Sequence, residues 1–207
     1  MNRRPWMTAI LVLGLSSALS GCFFPLLAGG VAGTAMVASD RRTSGAYLDD
    51  KSIELKGGAM LSDKFPSAHV NLNSFNRTVL LTGEMQSEDD RNRVALIAGS
   101  LPGVKRVENY TVVADPSTFS QRNNDTWITS KARSRLMGGE GNYSSQAIKI
   151  VTERGVVYLM GLVTRPEGDA AAAVVSQTAG VLKVVTLFEY LNEVPPLPAN
   201  TASSSAQ

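Results

Sequence analysis

The sequence predicts an α+β fold of two tandem domains, each a small sheet packed by two helices in the order helix-strand-strand-helix-strand. Three observations predict it. An apolar, strand-forming run ending in glycine occurs twice, as Thr78-Val79-Leu80-Leu81-Thr82-Gly83 and as Val156-Val157-Tyr158-Leu159-Met160-Gly161. Each run is followed by a helix-like segment and then by a Gly-Val turn, Gly103-Val104 and Gly180-Val181. Gly83 and Gly161 are 78 residues apart, and Gly103 and Gly180 are 77 apart, so two independent landmarks agree on one internal repeat.

The elements follow in order. In the first copy, residues 46–115, Asp49-Asp50 opens a helix with Ile53 and Leu61 on one face, interrupted at Gly57-Gly58. Val70-Asn71-Leu72-Asn73 is a strand, and the Thr78 run is the next. Ser87 caps a helix to about Ser100, with acids in its first turn and Val94, Leu96, Ile97 and Leu101 on its core face. Val107 to Val113 closes the copy. Residues 116–124 form a polar link. The second copy, residues 125–193, repeats the order: Asp125 opens a helix to Met137, Ile148-Lys149-Ile150-Val151 and the Val156 run are strands, Glu167 to Ala179 is an Ala-rich helix, and Val184 to Leu191 is the last strand. The Pro-rich, Ser/Ala-rich end, residues 194–207, has the composition of a disordered tail.

The N-terminus has a different character. Arg3 and Arg4 precede an apolar run from Met7 to Leu15, too short to span a bilayer. Ser20 and Gly21 then precede Cys22, the only cysteine. Leu19-Ser20-Gly21-Cys22 resembles a bacterial lipobox. The resemblance implies a signal peptide of residues 1–21, acylation of Cys22, and, because Phe23 rather than Asp follows, sorting to the outer membrane. Residues 22–45 read as a Gly- and Ala-rich tether ending in the polar stretch Asp40 to Gly45.

Composition sets limits. The chain has 20 basic and 18 acidic residues, and removal of Arg3 and Arg4 leaves a neutral balance. Bulk charge therefore gives no drive toward nucleic acid. Enzyme chemistry finds no support. His69 is the only histidine and reads as a surface or strand-edge residue. No Cys/His/Asp cluster has metal-ligand spacing, so no metal, cofactor or catalytic residue is expected. Asp89-Asp90 fits helix N-terminal charge. Gly138-Gly139-Glu140-Gly141 follows a helix and reads as a cap and turn.

A strand ending in Gly, a helix containing Ala, Gly-Val-x-x-Val and a closing strand together resemble the BON domain. Two copies behind a lipobox are similar to the dual-BON periplasmic lipoproteins of Gram-negative bacteria. The likeness is strongest from Asp125-Thr126-Trp127-Ile128 through the Val156 run to Gly180-Val181. It implies two BON-like αββαβ domains and binding of anionic phospholipid, phosphatidylglycerol or cardiolipin, at the periplasmic face of the outer membrane. It also implies a role in envelope integrity, at division sites.

At about 100° per residue, Ile128, Ala132 and Leu136 form one stripe that faces the sheet. Trp127 lies about 140° from that stripe, with Ser130, Lys131, Ser134 and Met137 on its side and Arg133 on a flank. Trp prefers the lipid headgroup region, and each nearby Lys or Arg adds about 1 kcal/mol of attraction to an anionic surface. Trp127, Lys131, Arg133, Ser134 and Met137 are therefore the candidate lipid-binding residues. The first copy keeps the stripe but has Ser52, Gly58 and Ser62 at the positions of Trp127, Arg133 and Met137; only Lys56 matches, at Lys131. Two alternatives stand beside this. Trp127 packs against the first domain or the link, or the chain is an adaptor that docks on envelope assembly or peptidoglycan-remodelling machinery.

Overall fold

The computed structural model describes residues 40–139 and 141–193. The expectations for residues 1–21, Cys22, most of the tether and the tail lie outside the described residues. Among the described residues no helix is long and apolar enough to cross a membrane.

Both copies adopt the expected order. The first has α1 (Ser44–Lys64), β1 (His69–Phe75), β2 (Thr78–Met85), α2 (Glu88–Gly99), β3 (Arg106–Asn109) and the short β4 (Val112–Val113). The second has α3 (Phe119–Gly138), β5 (Ile148–Glu153), β6 (Val156–Val163), α4 (Arg165–Ser176) and β7 (Lys183–Tyr190). In each sheet the first two strands form an antiparallel hairpin, and the last strand lies parallel to the middle one after a helical crossover. The strand expected from Val107 to Val113 is broken in two, because Thr111 turns its N–H and hydroxyl back onto Asn109 Oδ1.

Three expectations at the helices are corrected. α1 begins at Ser44, where the Thr43 hydroxyl accepts the Ala46 N–H, so Asp50 lies within the helix rather than opening it. The helix runs unbroken through Gly57 and Gly58. Gly57 belongs to its buried stripe, where a Cβ would stand 2.6 Å from Leu72 Cδ1. α3 likewise begins at Phe119, capped by Thr118 in a reciprocal capping box with Gln121. Most of the segment 116–124 is thus helix, not link.

The two misread aspartates have a shared task. Asp50 accepts the backbone N–H groups of Asn76 and Arg77, each at 2.7 Å. Asp125 accepts those of Arg154 and Gly155, at 2.8 and 2.9 Å. These are the two central residues of each hairpin turn, and all four have positive φ, from 50° to 73°. Such turns suit the twist of the strands but leave their N–H groups without ladder partners. A buried carboxylate from the first helix fills that need in both copies.

The landmark glycines also have physical reasons. Gly83 sits at φ 108°, and a Cβ there would be 2.0 Å from the His69 carbonyl oxygen. At Gly161 a Cβ would be 2.6 Å from the Ala147 carbonyl oxygen. Gly103 and Gly180 turn at φ 89° and 96°.

β2 and β6 are buried along nearly their whole length because both faces are covered. Val79, Leu81 and Met85 join Ile53, Leu61 and Val94 in the first core. Val157, Leu159 and Val163 join Ile128, Ala132, Leu136, Ala171 and Val175 in the second. The opposite faces meet between the copies, where Phe75 and Leu80 pack on Tyr158, Met160 and Leu162. Polar contacts ring this seam. Lys149 pairs with Glu54 and donates to the Ser74 carbonyl at 3.2 Å, and Asn76 donates to Glu189 at 2.7 Å.

The expected polar linker at Asp40–Gly45 is docked instead. Arg41 forms a two-pronged pair with Glu167 of the second copy, both bonds 2.7 Å. Arg42 binds Asp50 of the first copy at 2.7 Å and lies over the Phe75 ring at 4.3 Å.

Candidate functional site

α3 presents two faces. Asp125, Ile128, Ala132 and Leu136 are buried. Trp127 is 63% exposed and Met137 68% exposed, so Trp127 does not pack on the first copy. Arg133 and Ser134 are exposed as well.

Lys131 is more constrained than its position on the helix suggests. Its Nζ donates to the Ala179 carbonyl at 2.6 Å and lies 6.0 Å from the centre of the Trp127 ring. A carbonyl in the turn after α4 thereby fixes the ammonium beside the indole, with two N–H donors to spare. A shallow groove of about 350 Å³ runs here between α3 and residues Thr178-Ala179, lined on the helix by Trp127, Ser130, Lys131, Ser134 and Arg135. The structure thus brings Trp127, Lys131 and Ser134 together. Arg133 and Met137 do not line the groove. Arg135 does.

Two exposed apolar side chains near this helix escaped the sequence reading. Phe119, in the first turn of α3, is outside the span expected for the helix, although Thr118-x-x-Gln121 was a readable start signal. Leu182 projects from the turn before β7, where only a strand boundary was legible.

A second cluster lies at the seam. The His69 side chain is one-fifth exposed rather than on an open edge. Its Nδ1 is 3.0 Å from Glu84 Oε2 and 3.0 Å from Ser117 Oγ. Glu84 is fully buried. It also accepts the Ser117 N–H at 3.0 Å and Arg154 Nη1 at 3.1 Å. Burial opposes its charge, but Ser117, His69 and Arg154 outweigh that and hold its carboxyl below the usual range. Burial pushes the neighbouring Glu153 carboxyl up. Glu84 and Asp125 reinforce this, against the Asn71 hydrogen bond and His69.

Two αββαβ units in tandem, stacked sheet to sheet, with the second presenting an exposed indole on its first helix, define the class. The chain belongs to the BON domain family, whose pattern it matches over residues 49–115 and 124–192. It is 33% identical over 195 residues to the outer membrane lipoprotein DolP of Haemophilus influenzae, which covers 93% of this chain and all of the relative. It is also 28% identical to a 21 kDa hemolysin of Actinobacillus pleuropneumoniae over 73% of this chain and 79% of the relative. Identity to the osmotically-inducible protein Y of Escherichia coli is 27%, over 72% of this chain and 76% of the relative.

Proposed function

We propose that this chain is a lipoprotein anchored in the outer membrane through Cys22 and facing the periplasm, and that it reads anionic phospholipid through α3, in support of envelope integrity at division sites. The name of the Haemophilus relative, an outer membrane lipoprotein, supports the location. The observation that carries the lipid reading is the exposure of Trp127, 63%, beside an ammonium fixed by Ala179. An indole held in water next to a cation suits a headgroup layer, where the ring meets the acyl boundary and Lys131, Arg133 and Arg135 meet phosphate. Met137 adds apolar depth. The acyl anchor confines the domain near the leaflet, so a weak headgroup contact becomes populated.

The test uses residues 40–207, which retain Arg41 and Arg42 and contain Trp127 as their only tryptophan. Its fluorescence is followed while vesicles with and without phosphatidylglycerol or cardiolipin are added. A blue shift seen only with anionic lipid, and weakened by salt, supports the reading. No shift and no co-sedimentation with any vesicle overturns it.

One observation favours a second reading, the adaptor for envelope assembly or peptidoglycan-remodelling machinery. Leu48 and Leu55, two turns apart on α1, are 66% and 77% exposed. Reversing the charge of Lys131 and Arg133 separates the two: lipid reading predicts lost vesicle binding, and the adaptor predicts no dependence of envelope integrity on either residue.

A further inference from the structure

Where the copies face each other, one imidazole nitrogen and two carboxylate oxygens converge from three strands. His69 Nδ1 lies 3.0 Å from Glu84 Oε2 and 3.9 Å from Glu153 Oε1. One donor atom from each of the three residues falls within 4.8 Å of both others. Zinc bonds histidine nitrogen and carboxylate oxygen at about 2.0–2.2 Å in tetrahedral sites, which sets neighbouring ligand atoms about 3.4 Å apart. The two separations from Nδ1 bracket that spacing, so small side-chain shifts admit an ion.

The carboxylates are arranged as ligands are. Glu84 gives Oε1 to Arg154, and its Oε2, which accepts the Ser117 N–H, also faces the imidazole. Glu153 gives Oε2 to Asn71, at 2.9 Å. Its other oxygen, Oε1, receives no hydrogen bond from the described residues, although the side chain is more than nine-tenths buried, and it lies 3.9 Å from Nδ1. Outer partners such as Arg154 and Asn71 orient ligating groups and fix which oxygen they present. Ser117 Oγ, 3.0 Å from Nδ1, stands near a fourth corner. A cavity of about 210 Å³, lined by His69, Asn71, Arg122 and Glu153 among others, supplies an approach path and room for water.

We propose that His69, Glu84 and Glu153 bind one zinc-class divalent cation that ties the two BON domains together. The donor set decides the class. Imidazole with carboxylate suits zinc and its transition-metal neighbours, whereas magnesium and calcium take oxygen alone. His69 and Glu84 belong to the first copy and Glu153 to the second, so an ion here holds only the docked arrangement and stabilises it by mass action.

The experiment uses the full acylated chain, untagged and in detergent. Zinc is titrated by calorimetry and by thermal melting, with magnesium as the comparison. Cobalt(II) is titrated by visible absorption. His69 is the only histidine, so its ring-proton resonances report the site directly. One equivalent of zinc is expected to raise the melting temperature, to perturb the His69 resonances, and to bind at least tenfold more weakly in Asn71→Ala. Cobalt is expected to give the intense absorption of a four-coordinate site, and this absorption and the zinc-induced rise in melting temperature are expected to vanish in His69→Gln and Glu153→Gln. Either variant is judged only if its metal-free melt is cooperative, and the wild-type cobalt and His69 signals stand if neither qualifies. Zinc that leaves the His69 resonances unmoved, or binding unchanged in a folded variant, overturns the proposal.

Discussion

Asp125, buried in α3, holds the backbone of Gly155 in the β5–β6 turn, with its Oδ1 2.9 Å from the Gly155 nitrogen. The bond joins the helix that carries Trp127 to the hairpin turn between β5 and β6 of its sheet. Its companion to the Arg154 nitrogen makes a second charge-assisted bond, each of a kind worth about 1.5–3 kcal/mol. Asp125→Ala is expected to lower stability by about 3 kcal/mol or more, and Asp125→Asn by roughly half as much, because an amide oxygen still accepts. Asp50→Ala should cost at least as much, since Asp50 also receives the Ser74 hydroxyl and Arg42. Urea denaturation with an unchanged m-value checks all three.

The turns of the two copies differ in strain. Arg77 sits at φ 66°, where the second copy has Gly155 at 73°. A side chain in this left-handed region costs about 1–2 kcal/mol. Arg77→Gly is therefore expected to stabilise the chain by about 1 kcal/mol, after loss of the partly exposed Arg77–Asp49 ion pair. A lower thermal midpoint for this variant counts against the account.

Trp127 and its neighbour Ile128 should separate binding from folding. Trp127→Ala removes an exposed ring and is expected to change stability by no more than about 0.5 kcal/mol while abolishing binding to anionic vesicles. Ile128→Ala empties a fully buried position and is expected to cost about 2–5 kcal/mol. Denaturation and vesicle co-sedimentation, run on both variants, check the pair.

Acid should reveal the Arg41–Glu167 pair. The Arg41 hydrogen bonds draw the Glu167 carboxyl down to about 2 from its ordinary 4.5, against its burial and with help from Thr164. A folded-state value below the unfolded one means that the contribution is complete above pH 4.5 and is lost as pH falls toward 2. Arg41→Ala should be less stable than the parent at pH 7, and the gap should close between pH 4.5 and 2. Stability measured at intervals across that range checks the sign; a gap that widens in acid contradicts it.

Much of the fold was legible in the sequence because burial leaves a periodic trace. β2 and β6 read as largely apolar runs, and the Ile128-Ala132-Leu136 stripe gave the orientation of α3, which set Trp127 on the far side but left open whether its ring packs on the first copy. What escaped depends on partners distant in sequence. Asp50 and Asp125 read as helix openers because aspartate is common there, whereas the N–H groups they hold lie 26 to 30 residues downstream. The first turns of α3 are nearly all polar and carry no stripe. The His69 cluster draws on strands of both copies, so no linear spacing announces it. Lys131 was legible as a cation beside Trp127, but its tie to Ala179 required the packing of α3 against the turn after α4.

Arg41 and Arg42 are consecutive in the chain, yet each grips a different domain. A force applied to the chain at Asp40 therefore divides between two sets of ion pairs, one on Glu167 and one on Asp50. It loads them in parallel rather than peeling α1 away from its end. The pair works as a strain relief, of the sort that keeps a cable from tearing out of its socket. The start of α1 is thereby secured to both domains at once.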